Sequence, residues 1–150
     1  MKTLNAYCAA KHSFDKWAPS IMSLTLRLWL SSVFFKSGLT KLASWDTTLA
    51  LFNYEYQVPV VSASVAALSA TGVELVIPVL LVIGLFTRTS SLVLLILNVV
   101  AVISYPDVSD AGIQDHVFWG VMLTALIAYG GGRVTVDDVW RRWFRARNVA

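Results

Sequence analysis

Residues 63–105 read ASVAALSATGVELVIPVLLVIGLFTRTSSLVLLILNVVAVISY. Two apolar runs, Ala63–Phe86 and Thr89–Tyr105, flank the short connection Thr87-Arg88-Thr89. Each is near the roughly 20 residues a helix needs to cross a bilayer. A three-residue connection forces them into a tight antiparallel hairpin. Pro106, which has no N–H and restricts its neighbour, ends the second run. Working outward, 18–42 and 115–129 supply two more apolar stretches, the last closed by Gly130-Gly131-Gly132. The expected fold is all-α and integral to a membrane: a four-transmembrane-helix bundle with spans 18–42, 63–86, 89–105 and 115–129. A leader, 1–17, precedes the membrane domain and a basic amphipathic tail, 131–150, follows it.

Composition points the same way. Of the 150 residues, 57% are hydrophobic and 14% charged, and the mean hydropathy is +0.66. A soluble domain carries about 25% charged residues. A chain this apolar cannot cover itself with polar surface, so lipid is its expected solvent and partner. The net charge of +3 is not a nucleic-acid footprint, because the charges cluster at helix ends. Cys8 is the single cysteine, which excludes an intrachain disulfide, a CxxC redox pair and a cysteine metal site. Asn5, Lys11, His12, Asp15 and Lys16 interrupt any apolar core of a cleavable signal peptide.

Orientation follows from the basic residues. Lys2, Lys11, Lys16, Arg88, Arg133, Arg141, Arg142, Arg145 and Arg147 fall on one side of a four-span model. The opposite loops carry Asp46, Glu55, Asp107, Asp110 and Asp115, with Lys41 near the border. Both termini are therefore expected in the cytoplasm of a bacterial inner membrane. Two segments read as surface helices. Trp45, Leu49, Phe52 and Tyr56 recur at helical spacing up to Val58-Pro59, as in an extracytoplasmic amphipathic cap. In the tail, Val136, Val139, Trp140, Trp143 and Phe144 share one face and Arg141, Arg142 and Arg145 lie towards the other. That pattern fits an interfacial helix on an anionic leaflet, with Thr135-Val136-Asp137-Asp138 spaced as a capping box.

The informative residues are charges inside spans, each costing about 2.5–3.5 kcal/mol at a helix centre. Arg27 and Glu74 are expected at similar depth on adjacent antiparallel helices and so as an ion pair. At roughly 100° per residue, Arg27, Ser31, Phe34, Gly38 and Lys41 make one inward stripe, with Lys36 opposite. Ala67, Ala70, Thr71, Glu74, Pro78 and Leu81 share a face of the second helix, Ser91, Asn98 and Tyr105 of the third, and His116, Gly120 and Thr124 of the fourth. Asn98 is expected to bond a neighbouring helix. Bis-histidine haem is disfavoured because His12 lies in the leader, and no P-loop or GxGxxG is present. What remains is a charged cluster in an apolar pocket lined by Phe34, Phe35, Trp119 and Trp45. Such a pocket suits a quinone head group or a small anion.

The chain resembles the DoxX family of small four-helix membrane proteins. The likeness rests on Leu26-Arg27-Leu28, the run from Phe34 to Leu42, Phe52-Asn53-Tyr54-Glu55-Tyr56 with Val58-Pro59, and above all the block from Glu74 to Arg88. His116 with Trp119, and the stretch from Gly130 to Asp137, complete it; Gly131 stands where such proteins usually have proline. The resemblance implies a role beside membrane redox chemistry and makes Arg27, Lys41, Glu74 and His116 site candidates. Asn98 and Trp119 join them from the residue pattern. Three functions are then open: a quinone-interacting redox subunit with a soluble or peripheral partner, a small-solute or proton conduit, and a non-enzymatic scaffold or assembly factor. Self-association is left open by the sequence.

Overall fold

The computed structural model describes residues 2–56, 58 and 61–147, with side chains from Lys11 onward apart from Ser13. Pro59 and the Cys8 side chain thus lie outside the description. Among the described residues six helices run in order: α1 (Lys2–Ala43), α2 (Trp45–Tyr54), α3 (Ala63–Ile83), α4 (Thr87–Ser104), α5 (Asp110–Tyr129) and α6 (Val136–Arg147). Four of them, α1, α3, α4 and α5, are long and apolar enough to span a membrane. Their outward faces carry Val76, Val79, Leu92, Ile96, Val99, Val117, Phe118 and Val121, all exposed as lipid-facing side chains are.

The core lies inside that ring. Leu30, Phe34, Leu81, Leu94, Leu123 and Leu126 are buried together, each contributed at helical spacing by the inward stripe of its helix. Ser31, Thr71 and Ser91 are also buried, but their hydroxyls donate to helix carbonyls: Ser31 to Pro78 (3.0 Å), Thr71 to Ala67 (2.8 Å) and Ser91 to Thr87 (2.8 Å). The expected stripes of α1, α3 and α4 do face inward. That of α5 does so only in part. Thr124 is exposed and bonds its own helix at Gly120, and Leu123 and Leu126 take the inward positions instead.

Helix ends depart from expectation where a cap was overlooked. Gly84 adopts a left-handed φ of 72° and ends α3 early. Leu85 N–H donates to Leu80 O and Gly84 N–H to Leu81 O, the glycine-terminated pattern common at helix C-termini. The hairpin connection is therefore Gly84-Leu85-Phe86, and Thr87-Arg88-Thr89 already belong to α4. At α5, Ser109 accepts a hydrogen bond from Gly112 N–H, which starts the helix at Asp110 rather than 115. The expected face of α2 packs onto α3, with Phe52 against Ala66 and Ala67 and flanked by Trp45, Leu49, Tyr56 and Val58.

Candidate functional site

Two polar groupings sit towards the end of the bundle that carries α2, and a third closes the end that carries α6. The first joins α1 to α3. Gly38 lets the helices approach: a methyl there would lie 2.9 Å from the Leu75 side chain and 3.1 Å from Glu74 Cβ. That close approach sets Lys41 Nζ 2.8 and 2.7 Å from the two Glu74 carboxylate oxygens and 2.9 Å from Ser37 Oγ. Ser37 in turn donates to Glu74 at 3.2 Å. The three ammonium hydrogens are thus all used. Thr48 of α2 donates to the Lys41 carbonyl at 3.0 Å and fastens α2 over the pair.

The expected Arg27–Glu74 ion pair does not form. Ser31 meets Pro78, Gly38 meets Glu74 and Arg27 meets Gly84, so the antiparallel register puts Arg27 level with the end of α3. From Glu74 to Gly84 the helix rises about 15 Å, too far for a contact. α1 runs unbroken from Lys2, so residue 18 marks no helix start from which the depth of Arg27 could be counted.

The second grouping joins α4 to α5. Asn98 Nδ2 donates to the His116 carbonyl at 2.9 Å, and Asn98 Oδ1 lies 2.7 Å from His116 Nδ1. A carbonyl oxygen only accepts, so the first bond fixes which way the amide points. Oδ1 then requires a proton on Nδ1. In the neutral ring Nε2 is left as an acceptor, and among the described residues it has no hydrogen-bond partner. Trp119 lies edge-to-face on the imidazole at 4.8 Å and on Phe34 of α1 at 6.0 Å. Asn98, His116 and Trp119 are therefore brought together, and Lys41 and Glu74 are brought together on the opposite helix pair. Phe35 is not in this lining. It is half-exposed on an apolar groove between α1 and α3 with Leu28, Pro78 and Val82.

Aromatic residues that the sequence reading used only for packing or placement stand beside these groups. Phe52, Tyr56 and Tyr105 stack in sequence, at 4.7 and 5.1 Å. Burial, followed by the neighbouring Tyr105, Glu74 and Glu55, pushes the Tyr56 phenol above its ordinary range, and the Glu55 carboxylate does the same to Tyr105. Ser37 was also overlooked. A serine one turn before a lysine on an inward stripe was the available signal.

The third grouping is a lock. Arg27 is fully buried and donates from Nη2 to the Val134 carbonyl at 2.6 Å. Ser23 donates to Gly130 O and Ser20 accepts from Arg133 N–H. Asp137 accepts from Phe86 and Thr87 N–H at 2.9 and 3.1 Å, so it caps α4 across the chain. Half of the expected capping box is present: Thr135 Oγ1 accepts from Asp138 N–H, but the Asp138 side chain turns to Arg142 and Arg141.

The fold and these groupings define a small polytopic membrane protein with polar side chains gathered at both ends of an apolar core. The DoxX family model matches residues 22–106, more than half of the sequence, and the chain belongs to that family. An uncharacterized protein of Haemophilus influenzae is similar, at 30% identity over 132 residues that cover 83% of this chain and 87% of its own. No solved structure matches.

Proposed function

We propose that this chain is a quinone-binding subunit of a membrane redox system, working with a partner protein that carries the electron-transfer centre. The observation that carries the reading is the fixed imidazole of His116, with Nε2 as an acceptor beside the Trp119 indole. A hydroquinone hydroxyl donates one hydrogen bond and accepts another. His116 Nε2 would take the first and Trp119 Nε1–H would supply the second. The oxidised head group has only acceptors and would find one donor there, so the residues suit the reduced form better. Lys41 is saturated by Ser37 and Glu74 and serves to hold α1 on α3. In this reading both termini face the cytoplasm across a bacterial inner membrane, which the clustering of basic residues on one side supports. In that orientation α2 lies along the outer membrane face and α6 along the cytoplasmic one. A proton conduit gains no support, since buried leucines fill the middle of the bundle and the buried hydroxyls there are bonded to backbone.

The test is a titration of the purified protein with a short-chain quinol and its quinone, followed by tryptophan fluorescence. Saturable binding tighter for the quinol is expected, weakened about tenfold in His116→Ala by loss of one hydrogen bond. Absence of saturable binding in folded protein would refute the proposal.

A further inference from the structure

A cleft of about 720 Å³ opens between α6 and the turns that follow α3 and α5. Arg88 and Arg141 line it, as do Asp137 and Asp138. The two acids are already engaged. Asp137 spends both oxygens on the backbone N–H groups of Phe86 and Thr87, and Asp138 pairs with Arg142 and, more loosely, Arg141. Arg88 uses Nη2 on the Ala128 carbonyl at 3.2 Å and keeps further N–H donors. The two lining guanidinium groups match the two lining carboxylates in number, and the buried Arg27 behind Gly84 and Arg142 on Asp138 add positive charge around the cleft.

Buried polar donors without partners lie at and behind the cleft, while Asp138 Oδ2, which makes no hydrogen bond among the described residues, is neutralised by its ion pair with Arg142. Thr87 lines the cleft, is 2% exposed, and has its Oγ1 without a partner among the described residues. Arg27 Nε and Nη1 are likewise buried and unpartnered, with Nη1 and Thr135 bracketing Gly84. Unmade bonds of this kind are costly, so a polar occupant is favoured. The rim is aromatic: Phe86, Tyr129 and Trp140 are 65%, 85% and 62% exposed. Phe86 follows α3 and Tyr129 ends α5, the positions that aromatic side chains take at a membrane–water boundary.

We infer that this cleft binds the headgroup phosphate of an anionic glycerophospholipid. Arg88, Arg141 and the Thr87 hydroxyl face the phosphate, and the aromatic rim holds the glycerol region while the acyl chains run down the apolar faces of the bundle. Inorganic phosphate shares the anion chemistry but would leave the aromatic rim unused. The inference is independent of the quinone reading, which concerns the other end of the bundle.

The experiment is native mass spectrometry of the delipidated full chain in neutral detergent, with phosphatidylglycerol, phosphatidylcholine or inorganic phosphate added. One saturable phosphatidylglycerol is expected. Arg88→Gln with Arg141→Gln should weaken it about thirtyfold, roughly fivefold for each basic residue near the surface. Arg145→Gln with Arg147→Gln removes the same charge outside the cleft and should leave binding unchanged. Melting temperatures of both double variants establish that they are folded. Equal weakening by the two pairs, equal affinity for phosphatidylcholine, or displacement of the lipid by equimolar inorganic phosphate would each overturn the inference.

Discussion

Glu74 takes its counter-charge from Lys41, at 2.7 Å, and the two side chains are 9% and 19% exposed. A pair so shielded lies between a surface pair and a fully buried one. Lys41→Met should therefore cost about 1–3 kcal/mol, because it strands a carboxylate in an apolar setting. Adding Glu74→Gln to it should recover part of the loss. Melting temperatures for the four proteins of this cycle give the coupling directly. The same cycle run with Arg27→Met in place of Lys41→Met should be additive. The inward stripe containing both bases was legible from the wheel, since periodicity fixes which residues share a face. Choosing the partner was not, because it needs the register between helices. That register is set by Gly38, where Leu75 and Glu74 close on α1, and a single sequence gives no measure of it.

At the scale of elements, the block from Glu74 to Arg88 and the stretch from Gly130 to Asp137 turn out to touch. Asp137 of the second caps the helix that the first begins, and Arg27 holds Val134 from beneath. The residues carrying the family likeness at this end thus have a structural reason to occur together. Phe86 pays a small backbone cost at φ 49°, offset by the Asp137 bond to its N–H. Asp137→Ala should destabilise the protein by about 1–2 kcal/mol, as for loss of an N-cap. Hydrogen exchange should quicken at Phe86 and Thr87 while the middle of α4 stays protected; unchanged exchange there would contradict the capping role. Four apolar spans were readable from length and hydropathy, as was the amphipathic face of α2. The start of α4 was not, because its cap comes from fifty residues further along the chain. The start of α5 was available in Ser109, a local cap hidden among polar loop residues.

The whole molecule divides its labour between two ends. Fully buried leucines separate the Arg27 lock from the Asn98–His116–Trp119 group, and the Lys41–Glu74 pair lies beyond Arg27 along α1. The central claim is that quinol binding belongs to the Asn98–His116–Trp119 group at the α2 end and that the Asp137 cap at the α6 end serves stability. The most direct measurement sets His116→Ala beside Asp137→Ala, taking for each the quinol dissociation constant by tryptophan fluorescence and the melting temperature in the same detergent. The account predicts that His116→Ala weakens quinol binding about tenfold in protein that remains folded, and that Asp137→Ala lowers the melting temperature with binding intact below it. Full quinol affinity in His116→Ala, or a loss of affinity in folded Asp137→Ala equal to its own, would contradict it.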